Sequence, residues 1–327
     1  MRGINSGSIV LLWILVWNIF VYIAYKLRKY IKHKTGISGY SVLMVLVVNA
    51  ILAAILCYNS IVIGVTGYCI KSDRIPEEFN NFKILQISDF HTGTFHGGTD
   101  RLVEKAKEAQ PDIIALTGDL IDDEQVNLSV VKRLVEQLAT IAPVYSVSGN
   151  HDIWYSDFEG YQRLLTKLGV TIMDNRGIIL QRGNSSIKLY GIGDPKSWND
   201  AAAEEFLQSE MRALKPGNGF NILLFHRANM FGLIKGKGFQ LVLSGHMHGG
   251  QLQIPFIGGL VSPHHNSRWF PKYTDGKWVE EGTTMIVSKR SWEQCSHTKI
   301  FKPSRAGINN LGFGEIIHIT YLLDYCT

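Results

Sequence analysis

Cysteine is scarce in this sequence and spaced for no metal. Cys57, Cys69, Cys295 and Cys326 are the only four in 327 residues, and no two form a CxxC pair. A zinc knuckle and a thioredoxin-type redox motif are thereby excluded. Internal repeats and low-complexity tracts are missing as well, which excludes a repeat solenoid and a compositionally biased tail. Charged residues make up only 19% against 46% hydrophobic, a balance too apolar for a disordered chain and sufficient for a substantial core. An excess of one charge is confined to a single place. Lys26, Arg28, Lys29, Lys32 and Lys34 equal the whole formal net charge of +5. The rest of the chain is balanced, so the net charge is no footprint of nucleic-acid binding, which needs a basic face on the folded domain.

Charge is wholly absent from two other stretches, residues 8–25 (SIVLLWILVWNIFVYIAY) and 41–70 (SVLMVLVVNAILAAILCYNSIVIGVTGYCI). A helix of ~18–20 apolar residues crosses a bilayer, and both runs reach that length. Neither a clear basic n-region nor a small-residue cleavage site marks the first as a signal peptide. The expectation is a membrane anchor over 1–70, with transmembrane helices at 8–25 and 41–68 and with Asn18 and Asn49 as polar exceptions. Short basic loops stay cytoplasmic. The loop at 26–34 is therefore placed inside and the remainder outside, in a multi-pass cell-membrane protein. An extracytoplasmic domain leaves a Cys295–Cys326 disulfide open.

A connector at 71–82 leads into alternating strand and helix patterns over 83–327. KILQIS (83–88), DIIALTG (112–118), VYSVSG (144–149), NILLFH (221–226) and QLVLSG (240–245) read as short buried strands. The patterns at 99–109, 127–140 and 157–168 read as helices. Segments 251–254, 283–287 and 315–322 lack helical spacers and read as strands of a sheet edge or second sheet. Short apolar strands separated by helices imply an α/β domain whose sheet is covered on its faces.

Polar residues gather at the strand ends: Asp89-Phe90-His91, Gly118-Asp119-Leu120-Ile121-Asp122, Gly149-Asn150-His151-Asp152, His226, and Gly245-His246-Met247-His248. Ligands of α/β sheets sit at such C-terminal ends. Singly, each piece is ordinary. Gly-Asp is commonly a turn, Gly-Asn-His suits a tight turn with a left-handed Asn, and a lone strand-end histidine is more often a satisfied residue than a ligand. In order and at successive strand ends they form one constellation. Its three Asp/Asn oxygens and four His nitrogens suit manganese, zinc, iron or nickel. They are too many for one tetrahedral ion, and two ions sharing a carboxylate use them all.

This ordered set resembles the calcineurin-like metallophosphoesterase superfamily, whose pattern is DxH, GDxxD, GNH(D/E), H and GHxH, over nearly all of 83–327. The resemblance implies a four-layer α/β/β/α sandwich and a phosphoric ester hydrolase with two divalent metal ions, manganese ahead of zinc, iron or nickel. It implies further that Asp89, His91 and His248 hold one ion and Asn150, His226 and His246 the other, with Asp119 bridging. His151 is similar to the family's histidine near the scissile phosphate, steadied by Asp122. The chemistry is consistent. Two cations ~3.5–4 Å apart each bind a phosphoryl oxygen in an in-line displacement. His151, not needed as a ligand, is left to protonate the departing alkoxide.

Departures from the pattern bear on the substrate. Asp122-Asp123-Glu124 stands where the protein-phosphatase branch has Arg-Gly to grip phosphate, so a phosphoprotein substrate is not expected. SGHMHGGQ at 244–251, with a preceding apolar segment, resembles a bacterial envelope subgroup that includes hydrolases of UDP-2,3-diacylglucosamine. The expected substrate is a phosphate ester or diester of an envelope or lipid-linked compound. A pyrophosphatase acting on such a nucleotide lipid is the alternative, and a non-catalytic membrane-tethered metal-binding protein is the alternative of another class. Near the C-terminus VSKRSWEQCSHTKIFKPSRAGINN replaces the subgroup's short Ser-Arg-Gly-Leu-Gly turn. Arg227, directly after His226, is a secondary candidate for facing phosphate, and His96, His264 and His265 read chiefly as loop histidines. No protein partner is inferred.

Overall fold

The computed structural model describes residues 64–92, 99–122, 126–197, 199–250, 252–254, 258–261, 269–288 and 294–301, with positions 18, 19, 21, 22, 26, 47 and 48 before them. The chain divides into two compact units, Met1–Val62 and Ile63–Thr327. Most of the expected span at 8–25 and most of the span at 41–68 fall outside the described residues. Among the described residues no helix is long and apolar enough to cross a membrane.

Two six-stranded sheets organise the second unit. One takes β1 (Gly64–Lys71), β2 (Phe82–Ile87), β3 (Ile113–Thr117), β4 (Val144–Val147) and β5 (Val170–Ile172). The other begins with β6 (Arg176–Arg182), β7 (Ser185–Ile192), β8 (Asn221–Arg227) and β9 (Leu241–Gly245). A ribbon of β10 (Leu252–Ile254) and β11 (Gly258–Val261) follows, β12 (Gly276–Glu280) and β13 (Thr283–Val287) complete the second sheet, and β14 (Gln294–Phe301) returns to the first. The orders are β1-β14-β2-β3-β4-β5 and β12-β13-β9-β8-β7-β6. Neighbours among β2 to β5 are parallel, as are β7, β8, β9 and β13, while β6 and β12 are antiparallel edges.

β1 corrects the expected boundary of the anchor. Residues 64–68 were assigned to a spanning helix and are strand, paired in register with β14 from Gly64↔Gln294 to Lys71↔Phe301. An uncharged run gives no periodicity that separates buried helix from buried strand. Here the Gly-Val-Thr-Gly-Tyr composition, poor for helix, and the edge offered by β14 decide for strand. The expected connector at 71–82 is likewise structured, with a short 3₁₀ turn, Glu77–Phe79, that buries Phe79 completely.

Alternation along the strands builds the layers. On β3, Ile114 and Leu116 join a core with α1 (Thr99–Ala109), α2 (Leu128–Ala139) and, beyond the five-residue α3 (Asn150–Trp154), α4 (Phe158–Lys167). Ile113 and Ala115 point the other way, into a core shared with Ile222 and Leu224 of β8 and Leu241 and Leu243 of β9. Leu223, Phe225 and Val242 then face a third core under α5 (Asp200–Leu214) and α6 (Phe231–Ile234). Each central strand is therefore apolar on both faces, and its sequence is a continuous hydrophobic run. The helices follow their own period. Val131, Leu134, Val135 and Leu138 of α2 are buried at the i, i+3, i+4, i+7 spacing. The Asn127 side chain opens that helix by accepting the Val130 N–H at 3.3 Å.

Candidate metal centre

The loops after β2, β3, β4 and β9 and the end of β8 meet at one place. The chain there takes conformations that side-chain-bearing residues seldom adopt: φ is +53° at Asp89, +48° at His91, +53° at Asp119, +72° at His246 and +52° at His248. Such strain persists only where surrounding bonds over-determine it. The Asp89, His91 and Thr92 N–H groups donate to the Gly118, Asp119 and Leu120 carbonyls at 3.0–3.2 Å, carrying the β2–β3 pairing past the strands. The His246 N–H donates to the Asp89 carboxylate at 3.0 Å. Close approach excludes side chains at two glycines. A Cβ on Gly118, which has φ of +93°, would lie 2.6 Å from His226 Nδ1, and one on Gly245 would run into Ser88 Oγ and Asp89 Oδ2.

Asp152 is the residue whose role sequence reading missed. Its buried carboxylate accepts the N–H groups of Asp119 (2.8 Å), Leu120 (3.1 Å), Ile121 (3.3 Å) and Gly149 (2.9 Å). In return Asp119 Oδ1 accepts the His151 N–H at 2.9 Å. The two loops are thus clasped reciprocally. The signal was in the sequence, since Asp152 closes the Gly-Asn-His-Asp string, but which backbone groups it holds is a tertiary matter.

Ligand-type atoms fall into groups whose members lie within 4.8 Å of one another: Asp89, His91, Asp119 and His248; Asp119, His226 and His246; and His91, Asp122 and His151. Asp119 belongs to the first two. His248 Nε2 is 3.2 Å from Asp89 Oδ1 and 3.3 Å from His91 Nε2, and His226 Nε2 is 3.1 Å from Asp119 Oδ2. Asn150, which starts α3, is 2% exposed, and its Oδ1 makes no hydrogen bond, while Asp119 Oδ2 and His226 Nε2 face each other at 3.1 Å. A buried polar atom left unsatisfied costs about 1–3 kcal/mol. Cations removing that cost suit this mixed oxygen and nitrogen donor set, so the residues fit divalent metal.

Partners behind the rings orient them. A carbonyl only accepts, so His226 Nδ1–H donates to Thr117 O at 2.8 Å and Nε2 is the nitrogen turned to the cluster. Asp122 Oδ1 lies 2.7 Å from His91 Nδ1 and does the same for His91. Sequence reading paired Asp122 with His151. The structure puts it on His91, with a His151 ring nitrogen in the same 4.8 Å group. Arg227 departs from the expectation more clearly. It is 1% exposed and paired with Asp194, so it is turned away from any phosphate. His96, His264, His265 and Cys326 fall outside the described residues.

Charge in the cluster is strongly perturbed. Burial works against the Asp89 anion, yet His248 beside it holds the carboxyl at about 2. Burial also opposes a charged His226, and the Asp119 carboxylate overrides it, lifting the imidazole to about 10. Burial together with the His226 charge keeps His246 well below the usual imidazole range. Asp152, buried beside Asp119, is pushed up to about 7 against the four N–H groups that favour its anion.

The class that this fold and cluster define is matched by comparison. The family described as Calcineurin-like phosphoesterase matches residues 82–250. "Uncharacterized metallophosphoesterase YkuE" of Bacillus subtilis is 30% identical over 232 residues, covering 69% of this chain and 78% of that protein. "Phosphodiesterase YaeI" of Escherichia coli is 27% identical over 193 residues, covering 58% and 68%. "Transmembrane protein with metallophosphoesterase domain" of Danio rerio is 28% identical over 213 residues, 59% of this chain but only 46% of that protein. The chain belongs to the calcineurin-like phosphoesterase family and is a metal-dependent phosphoester hydrolase.

Proposed function

We propose that the chain is a membrane-anchored phosphodiesterase with a binuclear metal centre, acting on an envelope or lipid-linked phosphate ester. The observation that carries the two-ion reading is the pair of ligand groups sharing Asp119. In this reading Asp89, His91 and His248 hold one ion, Asn150, His226 and His246 the other, and Asp119 bridges. Divalent ions, when bound there, would supply charge neutralisation at the phosphoryl oxygens and activation of water. The protein's own groups do the rest. Asp122 and the Thr117 carbonyl fix which nitrogens of His91 and His226 face the cluster. His151, half-buried with its ring edge-on to His91 at 4.9 Å between centroids, is the proton donor to the leaving oxygen.

Support for the substrate class is the diesterase named among the relatives and the absence of an Arg-Gly pair after Asp122. The test is a panel of aryl monoester, aryl diester and UDP-linked lipid substrates on manganese-loaded protein. Diester turnover well above monoester turnover is expected. Exclusive turnover of the UDP-linked lipid would replace the reading with the pyrophosphatase, and no turnover of any would refute it.

The anchor rests on the uncharged runs flanking a basic loop at 26–34, with the catalytic unit outside the cytoplasm. Protease added to intact cells, with outer layers opened, is expected to digest that unit. Protection until the membrane is ruptured would reverse the orientation.

Metal loading is expected to release protons. His226 stands at about 10 in the metal-free protein, above the ordinary imidazole value of 6.5, so at neutral pH a proton occupies the nitrogen a metal needs. Raising the pH removes that competitor, and affinity should climb from pH 6 to 8. Calorimetry in buffers of different ionisation enthalpy reads the release. Binding without proton release, and equally tight throughout that range, would show that no proton on His226 competes with the metal.

A further inference from the structure

Arg227 is the largest fully buried side chain among the described residues, and nothing in the phosphoesterase reading uses it. Its Nε and Nη2 donate to the two oxygens of Asp194 at 2.7 Å each, with Asp194 only 3% exposed. Taking both charges out of water is costly, and well-packed apolar residues in their place are often neutral for stability. The pair's location says what else it does. β8 pairs regularly with β9 up to Leu224↔Leu243; the register then shifts, and pairing resumes at Arg227↔Gly245. The irregularity contains His226, and a strand irregularity of this kind re-aims a side chain. Arg227 fastens its far end to the loop that leaves β7.

The same loop reaches the other ligands of that group. The Asp194 N–H donates to Ser148 Oγ at 3.3 Å, and Ser148 stands two residues before Asn150. Ser148 is held in turn, its N–H donating to Asp174 Oδ1 at 2.8 Å. Gly245, opposite Arg227, precedes His246. Asn150, His226 and His246 thus all stand within two residues of one buried ion pair or its pairing partners. We propose that Arg227 and Asp194 are positioning residues for the metal position formed by Asn150, His226 and His246. This rests on the two-ion reading above.

The test is manganese stoichiometry and chelator competition on the full chain, comparing wild type, His226→Ala, Arg227→Lys and the double variant Arg227→Met/Asp194→Leu. The double variant replaces the pair by apolar groups of similar size. Arg227→Lys keeps the charge but loses the planar fork, and it serves if the double variant does not fold. Expected for the double variant is a loss of about 10–100-fold in affinity for one manganese equivalent, the scale seen when residues supporting metal ligands are removed. The other equivalent should stay near wild type, and Arg227→Lys should show a smaller loss with the same selectivity. Equal weakening of both equivalents would reduce the pair to a general stabiliser, and wild-type affinity in both variants would overturn its role outright. If His226→Ala itself keeps both equivalents at full affinity, the two-ion reading falls and the positioning role with it. A defect in His226→Ala alone defeats only the positioning role.

Discussion

Asp119→Asn should strip manganese from both ligand groups at once and lower turnover by about 10³-fold, since metal ions contribute several kcal/mol of transition-state stabilisation. Asparagine is nearly isosteric, so the geometry around it should survive. Its oxygen can still accept the His151 N–H that Asp119 Oδ1 accepts at 2.9 Å. What changes is the other position. Oδ2, at 3.1 Å from His226 Nε2, becomes an NH₂ group that donates and cannot bind a cation. One negative charge is also lost from the residue common to both groups. His248→Ala belongs to one group only and should weaken chiefly one equivalent. Elemental analysis after loading and desalting reads both. Two equivalents retained by Asp119→Asn would remove the bridge from the mechanism.

His151→Ala should behave in the opposite way, with metal content near normal and turnover down by ~10²–10⁴-fold, the range for a lost general acid. Asn150 and His151 are consecutive in the first turn of α3, so their side chains diverge by about 100° around the helix. Asn150 is buried with an unpartnered oxygen, while His151 is half-buried and packs edge-on against Trp154 at 5.7 Å between centroids. The defect should shrink with a nitrophenolate leaving group, which departs without a proton. Asp122→Asn sharpens the distinction. With its carboxylate on His91 Nδ1, it should loosen metal held by His91 more than it alters leaving-group dependence. A His151→Ala protein that loses metal, or that slows good and poor leaving groups equally, would place His151 in ligation or positioning.

The central strands and the helices at 99–109, 128–139 and 158–167 were legible for a local reason. A strand buried on both faces must be apolar throughout, and a helix covering a sheet must be apolar every third or fourth residue. The site was legible because its polar residues interrupt those runs at their ends, in an order with few accidental equivalents. The strand at 64–68 was not, because an uncharged segment is compatible with lipid, with helix or with a sheet edge until a partner is present. Its partner, β14, lies more than 200 residues further along and inserts between β1 and β2.

By itself the sequence determined the α/β class and the metal-dependent phosphoester chemistry, since each depends on residue type and on spacing within one strand and its loop. The tertiary structure alone decided which ring nitrogen faces the cluster, that Asp122 orients His91, that Asp152 clasps two loops, and that Arg227 turns from phosphate to Asp194. Those outcomes depend on hydrogen bonds between segments about 30 or more residues apart, except for the Gly149 N–H that Asp152 accepts nearby. The direction of a polar side chain is set by whichever partner the fold brings within reach, and no local pattern encodes that partner.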